Sequence, residues 1–200
     1  VHSTVYQEKW IPQAANEIVN TIKSRLPNGT TKTQVWLNKN DKSYQMDIAL
    51  VLDGSGSMVN QLDNIKAKLS AFVNSLYGVN WDTRVAVVAY DDDPAIRASY
   101  LSKVLNDFTY DKAVTTKSIK DFQLDTYPHD IQEAMYSGIM TAFNDLHWRD
   151  GAQKKTIVIT DAPAKDPDPG PQRWTKEQVA KRALELDPTS SLTPELRVPG

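Results

Sequence analysis

Asp53, Ser55 and Ser57 alternate with Gly54 and Gly56 in ALVLDGSGSMVNQ, residues 49–61. A carboxylate and two hydroxyls at the mouth of an apolar run could cradle a phosphate, expose a nucleophile, close a tight turn or ligate a metal. A dinucleotide fingerprint needs a third glycine where Val59 stands, and a phosphate loop needs lysine after its last glycine, where Ser57 and Met58 follow. A G-x-S-x-G nucleophile turn fails at both serines, because Asp53 and Ser57 flank Ser55, and Ser55 and Val59 flank Ser57. Two readings survive the motif alone: a glycine turn that opens a helix with Ser57 as its cap, and an oxygen-ligand metal site.

A second carboxylate favours the metal. Asp161 follows TIVIT as Asp53 follows IALVL, and open parallel sheets bind ligands beyond the carboxyl ends of their strands, where strand order reverses. If the two strands are neighbours there, both acids face one crevice. Magnesium takes about six oxygens at roughly 2.1 Å, and two Asp with two Ser supply that chemistry. The glycines let the backbone turn tightly while the hydroxyls converge.

The elements that must carry these residues are legible in the spacing. Ile48–Leu52 is continuously apolar, as a strand covered on both faces should be. Leu62, Ile65, Leu69, Phe72, Val73 and Leu76 follow at helical spacing. Further strands are expected at Arg84–Tyr90 and Thr156–Thr160, with a short edge strand at Ala95–Leu101. Helices are expected at Lys112–Phe122, at Asp130–Leu146, and from a Thr175/Gln178 capping box to about Leu186. An amphipathic helix from Ile11 to Leu26 and a strand at Thr33–Leu37 precede them. Alternating strands and helices specify an α/β layered domain with a mostly parallel sheet. Asp166–Pro171 reads as a stiff surface loop, and the tail after Pro188 as poorly structured.

The bulk numbers suit one globular domain. Two hundred residues with 23 basic and 25 acidic side chains carry a formal charge of -2 and no basic stripe, which argues against a nucleic-acid partner. There is no cysteine, so disulfides, thiolate chemistry and Cys-zinc sites are excluded. No apolar run is long enough to span a bilayer. The chain opens at Val1 rather than Met, as a processed or excised fragment would, and its lack of cysteine fits an exported bacterial protein.

IALVLDGSGSM and VITDAP, together with RVAVVAYDDD, DFTYD and LDTYPHDIQEAMYSGI, resemble the von Willebrand factor A domains from about Met46 to about Pro188. That resemblance implies a Rossmann-like open sheet flanked by helices on both faces, and a metal-ion-dependent adhesion site. Asp53, Ser55 and Ser57 would be ligands, with Asp161 as the distal one. The family's third element is a Thr in a glycine-rich loop or, in a subgroup, an Asp. Alignment on Pro128 gives Thr126 that place, with Asp125 as a one-residue slip. A neutral Thr would leave the metal more electrophilic toward an incoming acid. The family's last strand and helix have no counterpart in Thr189–Gly200, so the sheet is expected to lack them unless another segment fills the edge. The implied organisation is an N-terminal helix and strand over 1–45, the domain over 46–188, and an irregular tail over 189–200.

Other residues have plainer expectations. Asp91-Asp92-Asp93 reads as a solvated acidic turn, His129 as a loop residue, and most tryptophans as packing anchors, with Trp174 a candidate exposed contact. Asp166, Asp168 and Glu177 match calcium-hand positions, but Pro171 stands where that loop needs glycine. No H-x-x-x-H or H-E-x-x-H pattern and no evident base support an enzyme.

The expected function is therefore non-enzymatic. It is a protein-binding or adhesion module holding Mg²⁺, with Ca²⁺ or Mn²⁺ as alternatives, whose open position takes a partner's Asp or Glu. The alternative is a structural subunit of a surface assembly, joined through a sheet edge and stabilised by the metal. An extracellular or cell-surface setting suits both.

Overall fold

The computed structural model describes residues 2–3, 45–60, 62–78, 82–91, 100–124 and 134–188. The helix expected at 11–26 and the strand at 33–37 lie outside these residues. Five strands form one sheet: β1 (His2–Ser3), β2 (Gln45–Asp53), β3 (Asp82–Tyr90), β4 (Ser102–Thr109) and β5 (Gln153–Ile159). Their order is β1-β5-β2-β3-β4. All neighbours run parallel except β3 and β4, which are antiparallel. The chain leaves β2 for β3 on one side and later returns to β5 on the other, so the order reverses at β2, as the sequence anticipated.

The helices are α1 (Leu62–Gly78), α2 (Lys112–Asp121), α3 (Met135–Asn144) and α4 (Lys176–Leu186). The pleat of β2 explains their placement, since alternate residues point to opposite faces. Met46, Ile48, Leu50 and Leu52 pack with Ile65, Leu69, Phe72, Val73 and Leu76 of α1 and Ile119 of α2. Ala49 and Val51 pack on the other face with Ile139, Met140, Ala142 and Phe143 of α3 and Val179 and Ala183 of α4. Coverage on both sides is why β2 reads as an unbroken apolar run.

The caps follow local chemistry. Asp111 accepts the Ala113 N–H at the start of α2. Thr175 and Gln178 form the expected reciprocal box at α4. Helix α3 has no side-chain cap of its own. It borrows one: Asp168 accepts the Ser137 N–H at 2.9 Å and the Ser137 hydroxyl at 2.8 Å.

The loop 166–171 is exposed at Asp166 and Pro171, as a surface loop should be, but that contact buries Asp168 fully, which the sequence reading did not foresee. The edge strand is also displaced from expectation. It is Ser102–Thr109, while Tyr100 and Leu101 are in no strand and 92–99 lie outside the described residues. An edge strand with mostly half-exposed residues carries no apolar run by which to find it. Helix α3 spans Met135–Asn144, shorter than the expected 130–146, of which 130–133 are outside the described residues. Trp174 packs half-buried against the α3/α4 core rather than standing free. The outer side of β5 is paired with His2–Ser3 at Ile157 and Val158, a pairing the sequence did not announce.

Candidate functional site

Strand β2 ends in Asp53, in register with Tyr90 at the end of β3. On its other side Leu52 pairs with Ile159, which brings Thr160 beside Asp53. The three side chains share one face of the pleat, the α3/α4 face, and meet. Thr160 donates to Asp53 Oδ2 at 2.6 Å, and Tyr90 donates to the same oxygen at 3.2 Å. Asp53 Oδ1 accepts the Ser55 N–H at 2.9 Å. The carboxylate is thus held by three donors in a position only 1% exposed.

Gly54 permits the turn that follows. Its N–H donates to the Tyr90 carbonyl at 2.7 Å. A Cβ there would sit 2.9 Å from that oxygen and 2.6 Å from the Tyr100 hydroxyl, so no other residue fits. A short 3-10 helix, Gly56–Asn60, then lifts Ser57 to the surface. Ser55 and Ser57 place their hydroxyls 2.9 Å apart. Ser57 in turn donates to Asp161 Oδ1 at 2.9 Å.

The structure therefore brings Asp53, Ser55, Ser57 and Asp161 into one hydrogen-bonded cluster at the carboxyl ends of β2 and β5. Thr126 and Asp125, the two candidates for the remaining ligand, lie outside the described residues, as does His129.

Electrostatically the cluster is unbalanced. Burial pushes the Asp53 carboxyl above its ordinary value; hydrogen bonds from Thr160 and Ser55 oppose the shift, and the nearby Asp161 charge adds to it. Among the described residues, neither Asp53 nor Asp161 meets a Lys, Arg or His at ion-pair distance. Among those residues their hydrogen-bond partners are all neutral. Two carboxylates and two hydroxyls, with no cation beside them among the described residues, are a donor set that suits a hard divalent ion.

Asp91, expected in a solvated turn, is buried instead. Its backbone explains why: the N–H donates to the Leu101 carbonyl, and its carbonyl accepts the Ala134 N–H, so it ties β3 to both following segments. Asp92 and Asp93 lie outside the described residues. The partners that sequence reasoning missed are Thr160 and Tyr90. The signal was present, since Thr160 adjoins Asp161 and Tyr90 ends the strand after Asp53, but it needs the strand register to be read.

A family model for the von Willebrand factor type A domain matches residues 47–185. Among solved structures, the vWF domain of the type V pili tip protein Mfa5 from Porphyromonas gingivalis is similar at 22% identity and TM-score 0.50, over 61% of this chain and 39% of that one. A structure of three N-terminal domains of Mfa5 matches at 22% identity and TM-score 0.46, over 58% of this chain and 19% of that one. An uncharacterised protein from Alicyclobacillus acidocaldarius matches at 14% identity and TM-score 0.35, over 60% and 51%. This chain thus spans well under half the length of the Mfa5 structures, and identities at this level speak for the fold alone. No curated protein matches the chain.

Proposed function

Because this chain belongs to the von Willebrand factor type A domain family, a family of interaction modules, we propose that it is a non-enzymatic protein-binding module that works through a divalent cation, Mg²⁺ before Ca²⁺ or Mn²⁺. The observation that carries this reading is the pair Asp53 and Asp161, which has no cationic partner among the described residues. A buried carboxylate with only neutral partners beside a second acid is costly unless positive charge arrives from outside. Asp53, Ser55, Ser57 and Asp161 would hold the ion, with Thr126 as the proposed further ligand. When bound, the cation supplies a Lewis-acidic position for a carboxylate oxygen.

The chain's own residues do the rest. Thr160 and Tyr90 hold one oxygen of Asp53 inward, while the glycine turn aims the two hydroxyls across the crevice. Ser57, exposed, and Asp161, half-buried, form the open rim. Val59, 59% exposed in the same 3-10 helix, offers an apolar contact beside it. A partner presenting an Asp or Glu next to an apolar side chain fits this rim. An extracellular or cell-surface setting suits such a module, and the pilus-tip origin of one structural relative is compatible with that.

The test is a displayed library of Asp- and Glu-bearing peptides, panned with Mg²⁺ and with a chelator. Capture that needs Mg²⁺, is reversed by chelation and is lost in Asp53→Ala supports the proposal. Capture that survives chelation sinks it.

A further inference from the structure

Thr160 touches both halves of the cluster, although Asp53 and Asp161 lie more than a hundred residues apart in the chain. Its hydroxyl carries one proton and has two possible acceptors, Asp53 Oδ2 at 2.6 Å and the Ala162 carbonyl at 3.0 Å. The shorter distance is in the range of a charge-assisted O–H to carboxylate bond, so the proton belongs to Asp53. The same oxygen accepts the Ala162 N–H at 3.1 Å. An acceptance from two residues ahead closes a side-chain turn around the intervening residue, and that residue is Asp161. One buried hydroxyl therefore orients the first acid and shapes the turn that presents the second.

We infer that Thr160 is the positioning residue of the cation site: it contacts no ion or partner itself, but sets the relation between the two carboxylates that would hold one. This rests on the cation reading above. Tyr90 is the weaker helper, at 3.2 Å from the same Asp53 oxygen and without a role in the Asp161 turn. Thr160→Val keeps the branched shape and removes both hydroxyl functions. Thr160→Ser keeps both.

The test is Mg²⁺ titration by calorimetry on wild type, Thr160→Val, Thr160→Ser and Tyr90→Phe, with melting temperatures recorded in chelator and in Mg²⁺. The expected result is a loss of about 10- to 100-fold in Mg²⁺ affinity for Thr160→Val, near wild-type affinity for Thr160→Ser, and a smaller loss for Tyr90→Phe. The rise in melting temperature on adding Mg²⁺ should shrink in the same order. A merely structural Thr160 would lower the melting temperature in chelator and leave that rise unchanged. Thr160→Ala carries the same expectation where the valine variant does not fold. Unchanged Mg²⁺ affinity in Thr160→Val, or a serine variant as poor as the valine one, overturns the role of Thr160 alone. Wild-type protein that takes up none of Mg²⁺, Ca²⁺ and Mn²⁺ in the same titration overturns the cation reading with it.

Discussion

Strand β2 carries two buried aspartates on the same face, Asp47 near its start and Asp53 at its end, and their surroundings are opposite in kind. Asp47 is gripped by two guanidinium groups. Arg84, its cross-strand neighbour, reaches it with Nε at 3.0 Å and Nη2 at 2.7 Å. Arg149, from the turn before β5, adds its backbone N–H at 2.8 Å and Nε at 2.9 Å. Arg149 also bonds Asp82 at 2.7 Å, the Tyr110 hydroxyl at 2.9 Å and two backbone carbonyls. Asp53 has hydroxyls and one amide. The first pole is internally neutralised and satisfied, which makes it structure. The second has no cationic partner among the described residues, which is why the proposed function places the cation there.

Truncating Asp47 should sharpen that contrast most. Asp47→Ala leaves the Arg84 guanidinium without its carboxylate and Arg149 with Asp82 alone, a loss of about 3–5 kcal/mol, measured by urea unfolding with and without Mg²⁺. Asp53→Asn should leave stability in chelator within about 1 kcal/mol, because it removes an unpaired buried charge while keeping an acceptor for Thr160. Equal losses at the two positions would erase the distinction.

Cation binding is the next largest effect. Wild type in Mg²⁺ at a hundred times its dissociation constant should gain about 2.7 kcal/mol, read as a rise in melting temperature. Asp53→Asn should gain nothing.

Acid should separate the poles by sign. Asp53 has a folded pKa raised above its ordinary 3.8, so its contribution in chelator is complete below 3.8 and lost as pH rises through the raised value. At the other pole, burial pushes Asp82 upward, but the Tyr110 hydroxyl and Arg149 outweigh it and hold the carboxyl below 3.8. Asp107 behaves likewise: burial is outweighed by its hydrogen bonds from His147 and Phe108. Their contribution is complete above 3.8 and lost as pH falls through the lowered values. Melting temperatures of the cation-free protein should therefore climb as pH falls toward 3.8 and drop below it. In Asp53→Asn the climb should vanish while the drop remains.

The smallest expected effect is at the rim. Ser57→Ala, at an exposed position, should alter stability in chelator by no more than about 0.5 kcal/mol while weakening Mg²⁺ uptake by calorimetry. A large stability loss would make Ser57 part of the frame instead.

Much of this was legible in the letters. The strands around Ile48–Leu52, Arg84–Tyr90 and Thr156–Thr160 announced themselves because a strand covered on both faces is apolar throughout. Helix α4 announced itself through a local cap. What escaped were features whose partners are distant. Strand β4 is half-exposed and polar, so nothing periodic marks it. Asp91 and Asp168 sit among turn-forming letters, and only their long-range bonds, to Leu101 and Ala134 in one case and to Ser137 in the other, explain why they are buried. Thr160 looked like the last residue of an apolar strand.

The sequence by itself determined the donor chemistry and the local turn: a carboxylate, two hydroxyls and the glycines that let them converge are short-range properties of Asp53–Ser57. It determined, too, that a second acid would end a similar strand. Only the tertiary structure decided which acids are neutralised. Charge compensation depends on distance through space: strand register delivers Arg84 to Asp47 and the turn before β5 adds Arg149, while register delivers Tyr90 and Thr160 to Asp53.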